Sequence, residues 1–274
     1  MQTSLIITTY NWPEALDCCF RSIARQSVLP DEIVVADDGS GPETQACIDR
    51  WRSQFDLELK HVWQEHKGFR AARSRNLALA ETRHEYVITL DGDMIAHRHL
   101  IADHLAAERK NRFVQGVRLL TRPGAAERIF REGKLDFGFF DSEITRRRHT
   151  IRLPMLSRLI AYGRRGQRAI RGCNQGYWRD DLLRVNGWDE RMIGWGLEDN
   201  EIAERLYHAG VLRIGLRFAG LATHIYHPKR VPEGTNPNAA YLQATIQSDV
   251  IRCPYGVDQY LAGNRPNSGN SGPA

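Results

Sequence analysis

The first hundred residues alternate between two hydrophobic periods, and that alternation leaves few folds open. Runs at 4–10 (SLIITTY), 32–40 (EIVVADDGS), 57–63 (LELKHVW) and 86–91 (YVITLD) are rich in β-branched residues and read as strands. The stretches Pro13 to Arg25, Thr44 to Phe55 and Arg70 to Ala80 between them read as helices. In the first, Leu16, Cys19, Phe20 and Ile23 mark one face. Strand and helix at this spacing predict an α/β fold, a mostly parallel sheet flanked by helices on both faces.

In such sheets ligands bind beyond the carboxyl ends of the strands, near the point where strand order reverses. Polar clusters sit at those ends: TTYN, ADDGS and LDGDM each follow an apolar run. Asp, Gly, Asn and Ser also favour turns for local reasons. Three such clusters at successive strand ends favour one shared site over three separate turns.

Beyond about residue 118 the rhythm changes. Residues 144–179 hold ten arginines and no Asp or Glu. Apolar periodicity returns at 176–188 (GYWRDDLLRVNGW) and at 199–211 (DNEIAERLYHAGV), the latter amphipathic. No repeat and no second core is evident, so residues 1–255 are expected to form a single domain with an inserted basic segment. Residues 256–274, ending in GNRPNSGNSGPA, are expected to be disordered. Five cysteines without repeated spacing predict free thiols in a reducing compartment. The opening MQTSLIITTYN has no basic leader and no apolar run reaches membrane-span length, so the expectation is a cytoplasmic protein, with room for peripheral membrane association.

The chemistry lies in the acids. Asp91 and Asp93 in D-x-D spacing at a strand end suit a divalent cation, which takes oxygen ligands and shares them with substrate phosphates. Phosphatases of the haloacid-dehalogenase type also use such a pair. They place it after the first strand and follow it with Thr or Val where this chain has Ile95, which counts against them. A second acidic pair, Glu198-Asp199, opens the helix at 199–211 directly after Gly194-Trp195-Gly196. The helix dipole and capping favour acids there, but do not explain the glycines. Those allow close backbone approach to a ligand, an indole is a platform for a sugar face, and a carboxylate beside it can act as general base.

Five segments in order, SLIITTYN, EIVVADDGS, HKGFRAARSRN, YVITLDGDM and GWDERMIGWGLEDNE, make the chain resemble a family-2 glycosyltransferase with the GT-A fold over roughly residues 3–230. The last segment is also similar to the W-G-x-E-D region of β-1,4-galactosyltransferases and bacterial chondroitin-type polymerases. The resemblance implies a nucleotide-binding half (1–117) and an acceptor-binding half (118–255). It implies that Thr8, Tyr10 and Asp38 bind the base, that Arg73 and Arg75 lie near base or diphosphate, and that Asp91 lies at the ribose and metal. Asp93 would hold Mn²⁺ or Mg²⁺, with His227 as a late ligand and His224 as a further candidate. Asp199 would be the catalytic base, Glu198 would hold hydroxyls, and Trp195 and Gly196 would meet the acceptor.

The reaction so implied is an inverting transfer from a nucleotide-sugar, a UDP-sugar by preference, to a glycan or lipid-linked acceptor in surface polysaccharide or lipopolysaccharide synthesis. The basic segment suggests an anionic acceptor or membrane surface; sparse aromatics and the lack of a recognition motif argue against nucleic acid. A non-catalytic nucleotide- or glycan-binding module stays open as the alternative.

Overall fold

The computed structural model describes residues 1–228 and 236–261. Four parallel strands, β1 (Thr3–Thr9), β2 (Glu32–Asp37), β3 (Glu58–Trp63) and β4 (Tyr86–Asp91), are joined by helices α1 (Pro13–Ala24), α2 (Pro42–Arg52) and α3 (Ala71–Glu81). Proline opens α1 and α2 in the first turn, where its missing N–H costs nothing. Then follow β5 (Met94–Ala96), α4 (Leu100–Ala107), β6 (Arg112–Gln115), β7 (Val117–Leu120), α5 (Ala125–Glu132), α6 (Pro154–Ile160) and β8 (Gly163–Arg164). The described chain ends with β9 (Asn174–Trp178), α7 (Arg179–Arg184), α8 (Glu198–His208), β10 (Leu212–Gly215), β11 (Leu221–His224), α9 (Asn238–Ile246) and a 3-10 turn at Val257–Tyr260.

The main sheet runs β3-β2-β1-β4-β9-β6-β10-β8. β9 is antiparallel to both β4 and β6, and β8 to β10; every other pair is parallel. The sheet is therefore mostly parallel, as the alternation predicted. The strands' near-continuous apolar runs follow from burial on both faces. Leu5, Ile7, Ile33, Val35, Ile88 and Leu90 pack with Leu16, Phe20 and Trp51 on the α1–α2 side. Ile6, Val34, Ala36 and Val87, one residue out of phase, pack with Leu79, Trp188, Ile202 and Leu206 on the α3–α8 side.

A small second sheet, β5-β11-β7, decides where the site forms. β11 pairs antiparallel with β5 in a register that sets His224 opposite Met94, and the N–H of Ile225 donates to the carbonyl of Asp93 at 2.9 Å. A strand more than a hundred residues away in sequence thus delivers its end to the D-x-D turn.

The apolar periodicity at 176–188 falls on the end of β9, the short helix α7 and a loop holding the buried Trp188. One expectation needs correction. Residues 256–261 are ordered rather than part of a disordered tail. Val257 is buried, its N–H and that of Asp258 donate to the carbonyl and side chain of Asn186, and the Tyr260 hydroxyl donates to Glu190 at 2.8 Å. Residues 262–274 lie outside the described residues. All five cysteines are buried and free, as expected.

Candidate active site

Strand order reverses between β1 and β4, and the acids gather there. The register places Thr8 beside Asp91 across β1 and β4, and the Thr8 hydroxyl donates to Asp91 Oδ1 at 2.8 Å. Gly92 then turns the chain tightly against β1, its N–H donating to the carbonyl of Thr8 at 2.7 Å. A Cβ at Gly92 would press within 2.8 Å of that same oxygen, so the residue between the two acids has to be glycine.

Asp93 faces a different set of partners. Its Oδ2 lies 3.2 Å from Nε2 of both His224 and His227. One ligand atom from each residue falls within 4.8 Å of the others. Burial would raise the Asp93 pKa, but the bonds from the two imidazoles hold it down, at about 2. Asp93 Oδ1 is buried with no protein partner, as is His224 Nδ1. A carboxylate with an unused oxygen beside two imidazoles fits a divalent cation, and the nitrogen donors suit Mn²⁺ better than Mg²⁺.

The second acidic pair meets the first through an arginine. Arg75, on α3 and only 5% exposed, places Nη1 at 3.3 Å from both Glu198 Oε1 and Asp199 Oδ1, and Nη2 at 3.6 Å from Asp91 Oδ1. Its guanidinium also lies over the Trp188 ring, 5.8 Å from the centroid. Arg75 thus bridges a three-carboxylate cluster drawn from β4 and α8 and offsets part of its charge. Burial and the Asp199 charge raise the Glu198 pKa to about 7 against the opposing pull of Arg75. Glu198 therefore holds a proton more readily than a free carboxyl, and its Oε2 is buried without a partner. Burial likewise raises Asp91, with Arg75 opposing.

Asp199 is pinned from both sides, since Oδ2 accepts the Gly172 N–H at 2.6 Å while Oδ1 faces Arg75. A Cβ on Gly172 would run into that carboxylate. The turn before α8 is built from left-handed residues at Gly194 (φ 86°), Gly196 (φ 96°) and Leu197 (φ 75°). This backbone holds the Trp195 side chain out, 44% exposed, while the Trp195 and Gly196 carbonyls accept from Asn236 and Asn238, each at 2.9 Å. Below it, Arg205 is fully buried, paired with Glu201 at 2.6 Å, and donates to the carbonyl of Gly187 at 2.9 Å. The later turns of α8 are thereby fixed to the loop after α7.

Of the residues assigned to the base, Thr8 turns to Asp91, while Tyr10 and Asp38 lie in a separate group at the ends of β1 and β2. Tyr10 stacks on His66 with centroids 4.3 Å apart. Asp38 is buried; Oδ2 accepts the Arg70 N–H at 2.9 Å and Oδ1 accepts from the Gln64 amide. Arg73 reaches Gln64 Oε1 at 2.7 Å and lies over the Tyr260 ring, whereas Arg75 turns to the acids. The two arginines of AARSRN thus serve different ends of the site. Gly172, Gln64 and His66 carried no candidate role in the sequence, although HKGFRAARSRN begins at His66.

Residues 4–171 match the model of the glycosyl transferase family 2, and residues 160–228 that of the N-terminal domain of galactosyltransferase. The chain is 24% identical to chondroitin synthase of Escherichia coli, over 92% of this chain and 38% of that protein. It is 26% identical to validoxylamine A glucosyltransferase of Streptomyces hygroscopicus subsp. limoneus, over 76% of this chain and 48% of that one. It thus spans less than half the length of either relative. In fold it is similar to S. aureus TarS in complex with UDP (TM-score 0.62, 17% identity, 96% of this chain and 70% of that one). It is similar also to GalNAc-T7 with UDP, GalNAc and Mn²⁺ (TM-score 0.63, 16% identity, 90% and 48%). The match over residues 4–171 takes in both acids of the D-x-D turn, and the second match takes in Asp199 and both histidines: the chain belongs to glycosyl transferase family 2.

Proposed function

We propose that this chain catalyses an inverting, metal-dependent transfer of a sugar from a nucleotide-sugar, a UDP-sugar by preference, to a hydroxyl of a glycan or lipid-linked acceptor. The observation that carries the reading is Asp199, held by the Gly172 N–H and by Arg75, which also reaches Asp91, two residues before the Asp93 of the Asp93–His224–His227 cluster. Tyr10, Thr8 and Asp38 would receive the base, Asp38 through the lone pairs left free by Gln64 and Arg70. Asp93, His224 and His227 would hold the cation, which supplies charge neutralisation for the departing nucleoside diphosphate.

Asp199 accepts the acceptor hydroxyl's proton as that oxygen attacks the anomeric carbon, and the nucleoside diphosphate leaves from the opposite face. Gly172 and Arg75 fix the carboxylate's direction, so little reorganisation accompanies proton transfer. Glu198, whose carboxyl pKa is raised by burial, faces sugar hydroxyls as a hydrogen-bonding partner. Trp195 presents a flat apolar face to a pyranose ring. The exposed arginines of 144–179 favour an anionic or lipid-linked acceptor, of the kind used in surface polysaccharide synthesis on the cytoplasmic side of a membrane. No helix among the described residues is long and apolar enough to cross one.

The test is Asp199→Asn. Its amide oxygen can still accept from Gly172, so the fold and donor binding should persist while turnover falls by about 10²–10⁴-fold. Near-normal turnover in the variant would remove Asp199 from the role of base.

A further inference from the structure

Nine of the chain's exposed large apolar side chains fall between Phe139 and Tyr162. Phe140 (90% exposed), Leu159 (83%) and Met155 (81%) are the barest large apolar side chains among the described residues. Monomeric proteins seldom leave apolar side chains gathered in this way without a use for them. The segment is not loose. Arg152 grips Asp103 of α4 through two hydrogen bonds, at 3.0 and 2.6 Å, and the Leu153 N–H donates to the carbonyl of Phe218 at 2.8 Å. Ser157 is buried beneath α6. Met155, Arg158 and Leu159, spaced i, i+3, i+4, therefore share a face turned away from the protein.

Arg158 lies on this face, and further charge precedes it in the same segment. Arg146, Arg147, Arg148 and Arg158 are exposed and make no ion pair among the described residues. Bare aliphatic tips beside unpaired guanidinium groups match one surface on both counts. An anionic bilayer offers acyl chains to the first and lipid phosphates to the second. A second copy of this face fits poorly, since 144–179 contains no acid and a two-fold contact would set arginines against arginines. Nucleic acid would gain nothing from Met155 and Leu159, which have no ring to stack on a base.

We infer that α6 and the arginines before it form a membrane-docking surface that seats Met155 and Leu159 in the headgroup region of an anionic lipid bilayer. This deepens the peripheral-membrane part of the function proposed above. The same chain segment continues into Gly172, whose N–H holds Asp199, so docking would bring the proposed base to a lipid-linked acceptor at the surface.

Cosedimentation with phosphatidylcholine vesicles, with and without phosphatidylglycerol, tests this. The protein should bind only the anionic vesicles and be released by salt. Met155→Glu/Leu159→Glu should bind at least about tenfold more weakly, and Arg146→Ala/Arg147→Ala/Arg148→Ala about a hundredfold more weakly. Circular dichroism should be unchanged in both, since every altered side chain is exposed, and UDP titration should be unchanged in the Glu variant. A wild type that ignores anionic vesicles, binds neutral ones equally, or loses nothing in the Glu variant overturns the inference. So does a dimer that the Glu variant dissociates without any vesicle binding. Failure to bind UDP would instead strike the transferase reading and leave the vesicle result standing.

Discussion

Replacing Arg75 with methionine should be the most disruptive single change in the acidic centre. Its guanidinium stands 3.3 Å from Glu198, 3.3 Å from Asp199 and 3.6 Å from Asp91, with 5% of its own surface exposed. At an effective dielectric constant of about 20, a contact at such a distance is worth roughly 5 kcal/mol before desolvation is counted. Burying the charges cancels most of that gain, but truncating one partner strands the others, at a cost of about 3–5 kcal/mol. For a chain of this size that corresponds to a melting temperature lower by roughly 10 °C.

The penalty should depend on pH in a fixed direction. Without Arg75 the Glu198 and Asp91 carboxyls shift further upward, so the folded variant takes up protons that the unfolded chain releases. Its stability then rises as pH falls, and the gap from wild type should be wider at pH 8 than at pH 5. Urea unfolding at both values measures this. An Arg75→Met variant as stable as wild type at pH 8, or one with an equal deficit at both pH values, would show that Arg75 is not the counter-charge of the cluster.

Other consequences are simpler. Glu198→Gln should remove a pH dependence of the wild type. Because burial and Asp199 raise Glu198 from 4.5 to about 7, the folded state holds a proton that the unfolded chain has lost in that interval. Wild-type stability therefore falls as pH rises between those values and levels off above, whereas the Gln variant should gain on it; a constant difference in urea midpoints would contradict the shift. Gly172→Ala should keep the fold, since no left-handed backbone is needed there, yet lower turnover by about 10²-fold or more by pushing Asp199 aside. Unchanged turnover with a melting curve like wild type would mean that Asp199 is not positioned by Gly172.

What could be read in the sequence was local. The four parallel strands, their three helices and the acids at their ends follow from periods of two and 3.6 and from turn chemistry, which act over ten residues. The positions of Thr8, Asp38, Asp91, Asp93 and Glu198-Asp199 on strand ends and a helix start came with them. What could not be read depends on distant partners. Arg75 sits on a helix whose stripe pattern gives no direction, and its partners Glu198 and Asp199 lie 123 and 124 residues away. Antiparallel insertion of β9 between β4 and β6 is invisible in the strand NQGYW, where polar residues are buried in a sheet interior and satisfied by Gln115 and His104. The ordered turn at Val257–Tyr260 was hidden because its low-complexity neighbours dominate the composition, while its anchoring depends on Asn186 and Glu190. His224 and His227 were named from a resemblance; the β5–β11 register gives the physical reason they reach Asp93.

The most direct measurement is a calorimetric titration of UDP into the protein with and without Mn²⁺, repeated on Asp93→Ala. Binding that requires Mn²⁺ in the wild type and is lost in the variant is the expected result, because Asp93 carries the only carboxylate of the Asp93–His224–His227 cluster. UDP binding of equal strength with and without the metal, or undiminished in Asp93→Ala, would contradict a metal-dependent donor site at the end of β4.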